Sequence, residues 1–268
     1  MLTATFLHAP GIGETTEKRL WQRGIRSWKR ALSATPAELA LSKAKIATFL
    51  PAVAASQEAL TRNDHRYFAS LLPAREHWRA MEAFGDRIGF LDIETNGGFR
   101  PDDITLIGVY DGFESRFYVQ GKNLADFVAE TERCALWVTY FGTGFDLPFL
   151  KRRFPEIPFD QLHVDLCPLL RRLGYTGGLK RVEESVGLRR PPEVDGMSGM
   201  DAVHLWNRYR RYRNTDALER LIQYNRADIE NLKPLFDFAY PRLRERIGFD
   251  GESAAGSPLQ PADGTTEL

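Results

Sequence analysis

Cysteine is almost missing: Cys134 and Cys167 are the only two in 268 residues. With no Cys-x-x-Cys and no framework of spaced pairs, the chain argues against a disulfide scaffold or a cysteine-rich zinc site, and a reducing compartment is expected. The five histidines, His8, His65, His77, His163 and His204, stand isolated, without metal-ligand spacing. No apolar run approaches the ~18 residues that span a bilayer, and no basic-then-apolar leader opens the sequence; a cytoplasmic protein without membrane association is expected. Net charge is absent as well, since 36 basic residues balance 36 acidic ones, and no whole-molecule field announces a polyanion partner. The balance is uneven along the chain. Asp250, Glu252, Asp263 and Glu267 are the only charges from residue 250 on, so residues 1–249 carry a formal +4.

What is present begins with a hydrophobic content of 43%, ample for one large domain and a smaller one. The stretch FLDIETNG, residues 90–97, organises the rest. Ile88, Phe90, Asp92 and Glu94 alternate with Gly89, Leu91, Ile93 and Thr95, which reads as a strand buried on both faces. Residues two apart on a strand share a face, so Asp92 and Glu94 point the same way. Two ionised carboxylates side by side in a partly buried sheet repel each other and lose hydration, and something positive is expected beside them.

Further strands are expected at 104–110 and 115–119, joined by an Asp111-Gly112 turn, and at 134–140, with a helix near 123–132 between them. Successive strands, a helix and another strand make a mixed sheet flanked by helices. The remainder to Leu243 reads as mostly helical. Gly142 and Gly144 form a turn, and Asp146, two residues before Pro148, starts a helix, where an acid is also an ordinary cap. In the helix from about Thr215, Asp228 interrupts the apolar stripe of Leu221, Ile229, Leu232 and Leu235, with Tyr224 one turn earlier on the same side. Such an acid needs either an arginine or a cation shared with Asp92 and Glu94.

Ahead of the sheet, residues 33–84 are rich in Ala and Leu and read as a helical platform, with Thr35 an N-cap before Pro36. Residues 1–32 carry a Pro-Gly-Ile-Gly turn that resembles a helix-hairpin-helix motif, in which Gly11 and Gly13 would offer backbone amides to a nucleic-acid phosphate. Residues 246–268, rich in Gly, Pro, Ser and acid, are expected to be disordered.

The DIET of residues 92–95, the FDLPFL of 145–150 and the Tyr224-x-x-x-Asp228 spacing resemble, in order, the three motifs of the DEDD exonucleases in their tyrosine subgroup. With the hairpin, the LKRVEESVGL segment and the LWNRYRRY helix, the chain is more narrowly similar to bacterial YprB-type proteins, over roughly residues 1–245. The resemblance implies an α/β, ribonuclease-H-like domain at 85–245 behind a small all-helical region. It implies a metal-dependent 3′–5′ exonuclease using two Mg²⁺ or Mn²⁺ ions, one activating water and one stabilising the leaving oxygen. By the same similarity Asp92 ligates both ions, Glu94 and Asp228 the water-activating one, Asp146 the second through water, and Tyr224 orients the attacking water. One departure stands out: Phe141-Gly142 replaces the Asn-Gly that related sequences often carry before the second acid.

The implied substrate is DNA or RNA, as a single-stranded 3′ end. Six cations lie between Arg171 and Arg190, Arg181 among them, and residues 206–213 interleave aromatics with arginines including Arg210 and Arg213. These would contact phosphates and stack on bases, or else form a solvated helix face with the aromatics in the core. Trp78 and Trp137 read as core. A structure-specific endonuclease on the same fold, and a nucleic-acid-binding module without turnover, are the alternatives.

Overall fold

The computed structural model describes residues 1–250. Helices come first: α1 (Glu14–Gln22), α2 (Trp28–Leu32), α3 (Pro36–Leu39), α4 (Lys43–Thr61), α5 (His65–Leu71) and, after a 3-10 segment at Ala74–Ala80, α6 (Met81–Phe84). Thr35 caps α3 with a reciprocal capping box to Glu38, Pro36 holding the first helical position. The strands follow as β1 (Ile88–Thr95), β2 (Ile104–Tyr110), β3 (Ser115–Val119), β4 (Leu136–Thr139) and β5 (Leu162–Asp165). Between and after them lie α7 (Val128–Arg133), α8 (Asp146–Arg153), α9 (Leu166–Arg171), α10 (Leu179–Ser185), α11 (Gly199–Tyr212) and α12 (Thr215–Arg246).

The strand order is β3-β2-β1-β4-β5, antiparallel across β3, β2 and β1 and parallel across β1, β4 and β5. This is a five-stranded mixed sheet flanked by helices and preceded by helices, the ribonuclease-H-like class. β5 was not expected from the sequence. Its four residues, LHVD, are too short for any alternation to register, and it is recruited by parallel pairing of Leu136 with Leu162 through Thr139 with Asp165.

β1 is central, and its two faces do different work. Leu91 and Ile93 pack with Trp137, Phe127, Phe149 and Leu150 on one side. On the other, Ile88 and Phe90 join Leu232, Leu235 and Phe236 of α12. That second face turns from oily to acidic at Asp92, and α12 turns polar with it at Asp228 and Tyr224. Gly89 and Gly108 leave room on opposite faces: a Cβ at Gly89 would lie 2.3 Å from the Trp137 ring, and one at Gly108 would lie 1.9 Å from Asn225 Oδ1.

The N-terminal helices share the sheet's core. Phe6, Trp21, Trp28, Phe49 and Phe68 are continuous with Phe90, Leu136, Val138 and Leu162. A buried ionic chain reinforces this. Glu17 accepts from Thr5 Oγ1 (2.7 Å), Phe6 N (2.6 Å) and Arg79 Nη1 (2.7 Å), and Arg79 Nε reaches Glu76 at 2.7 Å. The disorder expected from residue 246 does not begin there: Arg246 ends α12, Ile247 is buried, and Phe249 meets Trp21 edge-on at 5.2 Å because these apolar groups have a core to join. The rest of that tail, from residue 251, lies outside the described residues. Among the described residues no helix is long and apolar enough to cross a membrane.

Candidate active site

Three elements converge on one open cleft lined by Asp92, Glu94, Tyr140, Lys180, Arg181, Tyr224 and Asp228. β1 delivers Asp92 and Glu94 through its two-residue period. α12 delivers Tyr224, Asn225 and Asp228 through its i, i+3 and i+4 spacing. A carboxylate oxygen of each of Asp92, Glu94 and Asp228 lies within 4.8 Å of the others. Asp146, the first residue of α8, is not a member of that trio. Nor does it cap its own helix with its side chain; its Oδ1 accepts from Ile93 N at 3.0 Å, which fastens α8 to β1 between the two β1 acids.

Burial sets the electrostatics. Glu94, Asp146 and Asp228 are 8%, 2% and 6% exposed, and Asp92 is half-buried. Loss of hydration, then the charges of Asp146, Asp228 and Glu94, raises Asp92 well above the usual carboxylate range. Glu94 is raised well above that range too, by burial and then by Asp228. Asp146 is pushed up to about 7, chiefly by burial. Asp228 is raised by burial, against an opposing pull from Arg190. Metal-free, the cleft therefore favours protons; divalent cations are the other way to neutralise it.

Three further residues complete the site. Asn225 Nδ2 donates to Asp92 Oδ2 at 2.9 Å and Glu94 Oε1 at 3.4 Å, bridging the β1 pair. Arg190 grips Asp228 Oδ1 at 2.5 Å while making two bonds to Glu183 at 2.6 and 2.8 Å. Lys180 Nζ donates to Tyr224 Oη at 3.0 Å and to the Met197 carbonyl. Asn225 was legible in principle, since it lies three residues before Asp228 on the same helical side. Arg190 and Lys180 were visible only as members of a cationic run; no local pattern says which cations fold inward.

The other expected residues scatter. Arg181 is exposed on the cleft's wall. Arg210 and Arg213 are exposed on and just beyond α11 and do not line the cleft. Of the two readings left open for the aromatics among them, the core one holds for Trp206 and Tyr209, buried against α12, while Tyr212 is exposed. Gly11 and Gly13 are exposed, far in sequence from the cleft and absent from its walls. What precedes their turn is one 3-10 turn, Leu2–Ala4, where a hairpin would have an α-helix, and the first turn of α1 already holds Glu14 and Glu17. His163 and Asp165 are structural. His163 bonds Thr139 Oγ1 at 2.9 Å, and Asp165 accepts from Phe141 N (2.8 Å), Thr143 N (3.0 Å) and Cys167 N (3.1 Å).

Comparison with known proteins bears on this geometry. A family model for the RNase H superfamily (RNase_H_2) matches residues 89–240, more than half of the chain, from the second residue of β1 past Asp228. Among solved structures, the chain is similar to the family B DNA polymerase from the hyperthermophilic archaeon Pyrobaculum calidifontis, with 17% identity and a TM-score of 0.50. That match covers 62% of this chain and 26% of the polymerase, so it spans about a quarter of that protein, and it speaks for the fold alone. No curated protein matches the chain.

Proposed function

The chain belongs to the RNase H superfamily, and from that premise we propose that it is a metal-dependent 3′–5′ exonuclease, of the DEDD type with tyrosine and of the YprB kind, hydrolysing phosphodiester bonds of DNA or RNA. The observation that carries this reading is the trio of Asp92, Glu94 and Asp228 within mutual reach, with Asp146 bonded to the backbone between the first two. The donor set is all carboxylate oxygen, which suits hard divalent cations such as Mg²⁺ or Mn²⁺. Asp92, Glu94 and Asp228 would hold one ion, and Asp92 with Asp146 a second. Bound there, the ions would supply a lower pKa for water and charge compensation for the leaving oxygen.

The chain's own groups do the rest. Burial, then the charges of Asp228, Glu94 and Asp92, raises the Tyr224 phenol far above neutrality, so it keeps its proton. Because Lys180 donates into the phenol oxygen, the phenol hydrogen is free to point at a water or a phosphate oxygen: Tyr224 positions, and is not a base. Asn225 holds the β1 acids in register and Arg190 holds Asp228. Arg181 draws the strand's phosphate to the cleft, with Arg210 on α11, Arg213 just beyond it and the turn of Gly11 and Gly13 as outer contacts. Cys134 and Cys167, both buried and free, suit a reducing cytoplasm.

One observation favours a binding module without turnover: Arg190 and Asn225 already give Asp228, Asp92 and Glu94 partners inside the protein. The deciding experiment uses 5′-labelled single-stranded DNA and RNA with Mg²⁺ or Mn²⁺, beside EDTA and the Asp92→Asn variant. A metal-dependent ladder of shortening products, lost by on the order of 10³-fold in the variant, is expected. Strands that bind and stay intact would establish the module instead.

A further inference from the structure

Each of the four acids is held by one oxygen only. Asn225 Nδ2 donates to Asp92 Oδ2 at 2.9 Å and to Glu94 Oε1 at 3.4 Å, Ile93 N to Asp146 Oδ1 at 3.0 Å, and Arg190 Nη2 to Asp228 Oδ1 at 2.5 Å. No other residue among those described bonds the second oxygen of any of them. The two side-chain donors are built in at a cost. Asn225 is fully buried, and with Nδ2 turned to the acids its Oδ1 finds no partner among the described residues. The opposite orientation would set that oxygen against two carboxylates. The orphaned oxygen fits at all only because residue 108 is glycine, where a Cβ would lie 1.9 Å away. Arg190 is fixed by a ring of bonds that starts and ends on α12. Asn231 Nδ2 donates to Glu183 Oε1 at 3.1 Å, Glu183 accepts from Arg190 Nε and Nη2, and Nη2 returns to Asp228, three residues before Asn231. Arg190 Nη1 is orphaned as well. Two buried polar atoms left without partners in one site call for a reason other than packing.

The reason lies in what the donors leave over. A carboxylate with one oxygen engaged offers a cation only the other. Such ligation suits small ions of strict octahedral geometry that keep several waters, whereas Ca²⁺ takes roughly six to eight oxygens and draws on carboxylates that bind through both. Resting on the nuclease reading above, we propose that Asn225 and Arg190 are positioning residues that confine Asp92, Glu94 and Asp228 to one-oxygen ligation, and that they thereby select Mg²⁺ or Mn²⁺ against Ca²⁺. Asn225 acts on the β1 pair and Arg190 on the α12 acid, so each side of the cleft has its own restraint. Coordination positions that two-oxygen acids would fill are left to water and phosphate.

Mn²⁺ affinity is measured on the full chain from the electron paramagnetic resonance of the free ion, and Ca²⁺ affinity from its displacement of Mn²⁺. The proteins are wild type, Asn225→Ala, Arg190→Met and Arg190→Lys, each checked for fold by circular dichroism. Both ions are doubly charged, so removing a guanidinium shifts their affinities together, and a general loosening weakens both; a change in ligation moves their ratio. Wild type is expected to prefer Mn²⁺. Asn225→Ala and Arg190→Met should each narrow that preference by about ten-fold, and Arg190→Lys, which keeps a cation and a donor at Asp228, should retain it. If Arg190→Met does not fold, Asn225→Ala decides. An unchanged ratio in a folded variant, or a wild type that holds Ca²⁺ as tightly as Mn²⁺, overturns the proposal, while metal-dependent cleavage by wild type leaves the nuclease reading standing. A wild type that binds neither ion overturns both.

Discussion

Asp228 meets its first cation from inside the protein. The Arg190 side chain is 4% exposed, as is fitting for a guanidinium wedged between Glu183 and Asp228, and its Nη1 finds no partner among the described residues. Breaking such a pair leaves uncompensated charge in a desolvated place. Arg190→Met is therefore expected to lower stability by about 3–5 kcal/mol, read from urea unfolding at pH 8 without metal. Asp146 gives the complementary case. Its folded pKa, about 7, lies above the ordinary carboxylate value, so the folded state binds this proton more tightly than the unfolded one. Its contribution to stability then falls as pH rises from about 4 to about 7 and is flat beyond. Buried His8 and His163, pushed down to about 4, and lowered His77 act in the opposite sense, losing stability as pH falls below about 6.5. The difference between proteins isolates the acid. In EDTA, Asp146→Asn should gain in melting temperature over wild type progressively from pH 4 to 7, then hold a constant lead to pH 8; a lead independent of pH would refute the assignment. Asn retains the acceptor for Ile93 N, so the α8–β1 fastening survives.

At the scale of elements, β2 supports the site without contributing a ligand. Gly108 pairs with Asp92 across the ladder, and its missing Cβ is the space in which Asn225 sits. Gly108→Ala should cost roughly 1–3 kcal/mol by overpacking and displace Asn225 from the β1 acids. Weakened Mn²⁺ binding by calorimetry, at a stability cost no larger than that, is the expected outcome. Much of this arrangement was legible beforehand. The period of two in β1 set Asp92 beside Glu94, and the i, i+4 spacing in α12 set Tyr224 beside Asp228, because both periodicities are local. What the sequence concealed was non-local. Asp146 read from its local pattern as a helix cap and only by resemblance as a ligand, yet its carboxylate reaches β1; LHVD had too few residues to declare itself; the aromatics of WNRYRRY stood open between a binding stripe and a core face until α12 took Trp206 and Tyr209 into the core. Which of Lys180, Arg181, Arg189 and Arg190 faces the acids depends on a loop path that no spacing encodes.

For the whole molecule, the N-terminal helices and the sheet are joined by shared packing and by the chain of Glu17, Arg79 and Glu76. Arg79→Ala leaves Glu17 buried without a cation, while Glu76 keeps Arg172, and should destabilise by about 3–5 kcal/mol. If the core is one cooperative unit, tryptophan fluorescence and far-ultraviolet circular dichroism will still report a single coincident transition; two separated transitions would show that the helices unfold alone. α12 carries this unity further. Its half from Leu232 to Leu243 lies in the core shared with the N-terminal helices, while Tyr224 and Asp228 stand at the cleft. A helix advances about 100° per residue, so inserting or deleting one residue between Asp228 and Leu232 would swing the acid out of the cleft while the core half stayed docked. The loop between β1 and β2 has no such phase to keep. In descendants of this gene, length changes should therefore collect in that loop, while the interval from Tyr224 to Leu232 keeps its residue count even where its letters drift.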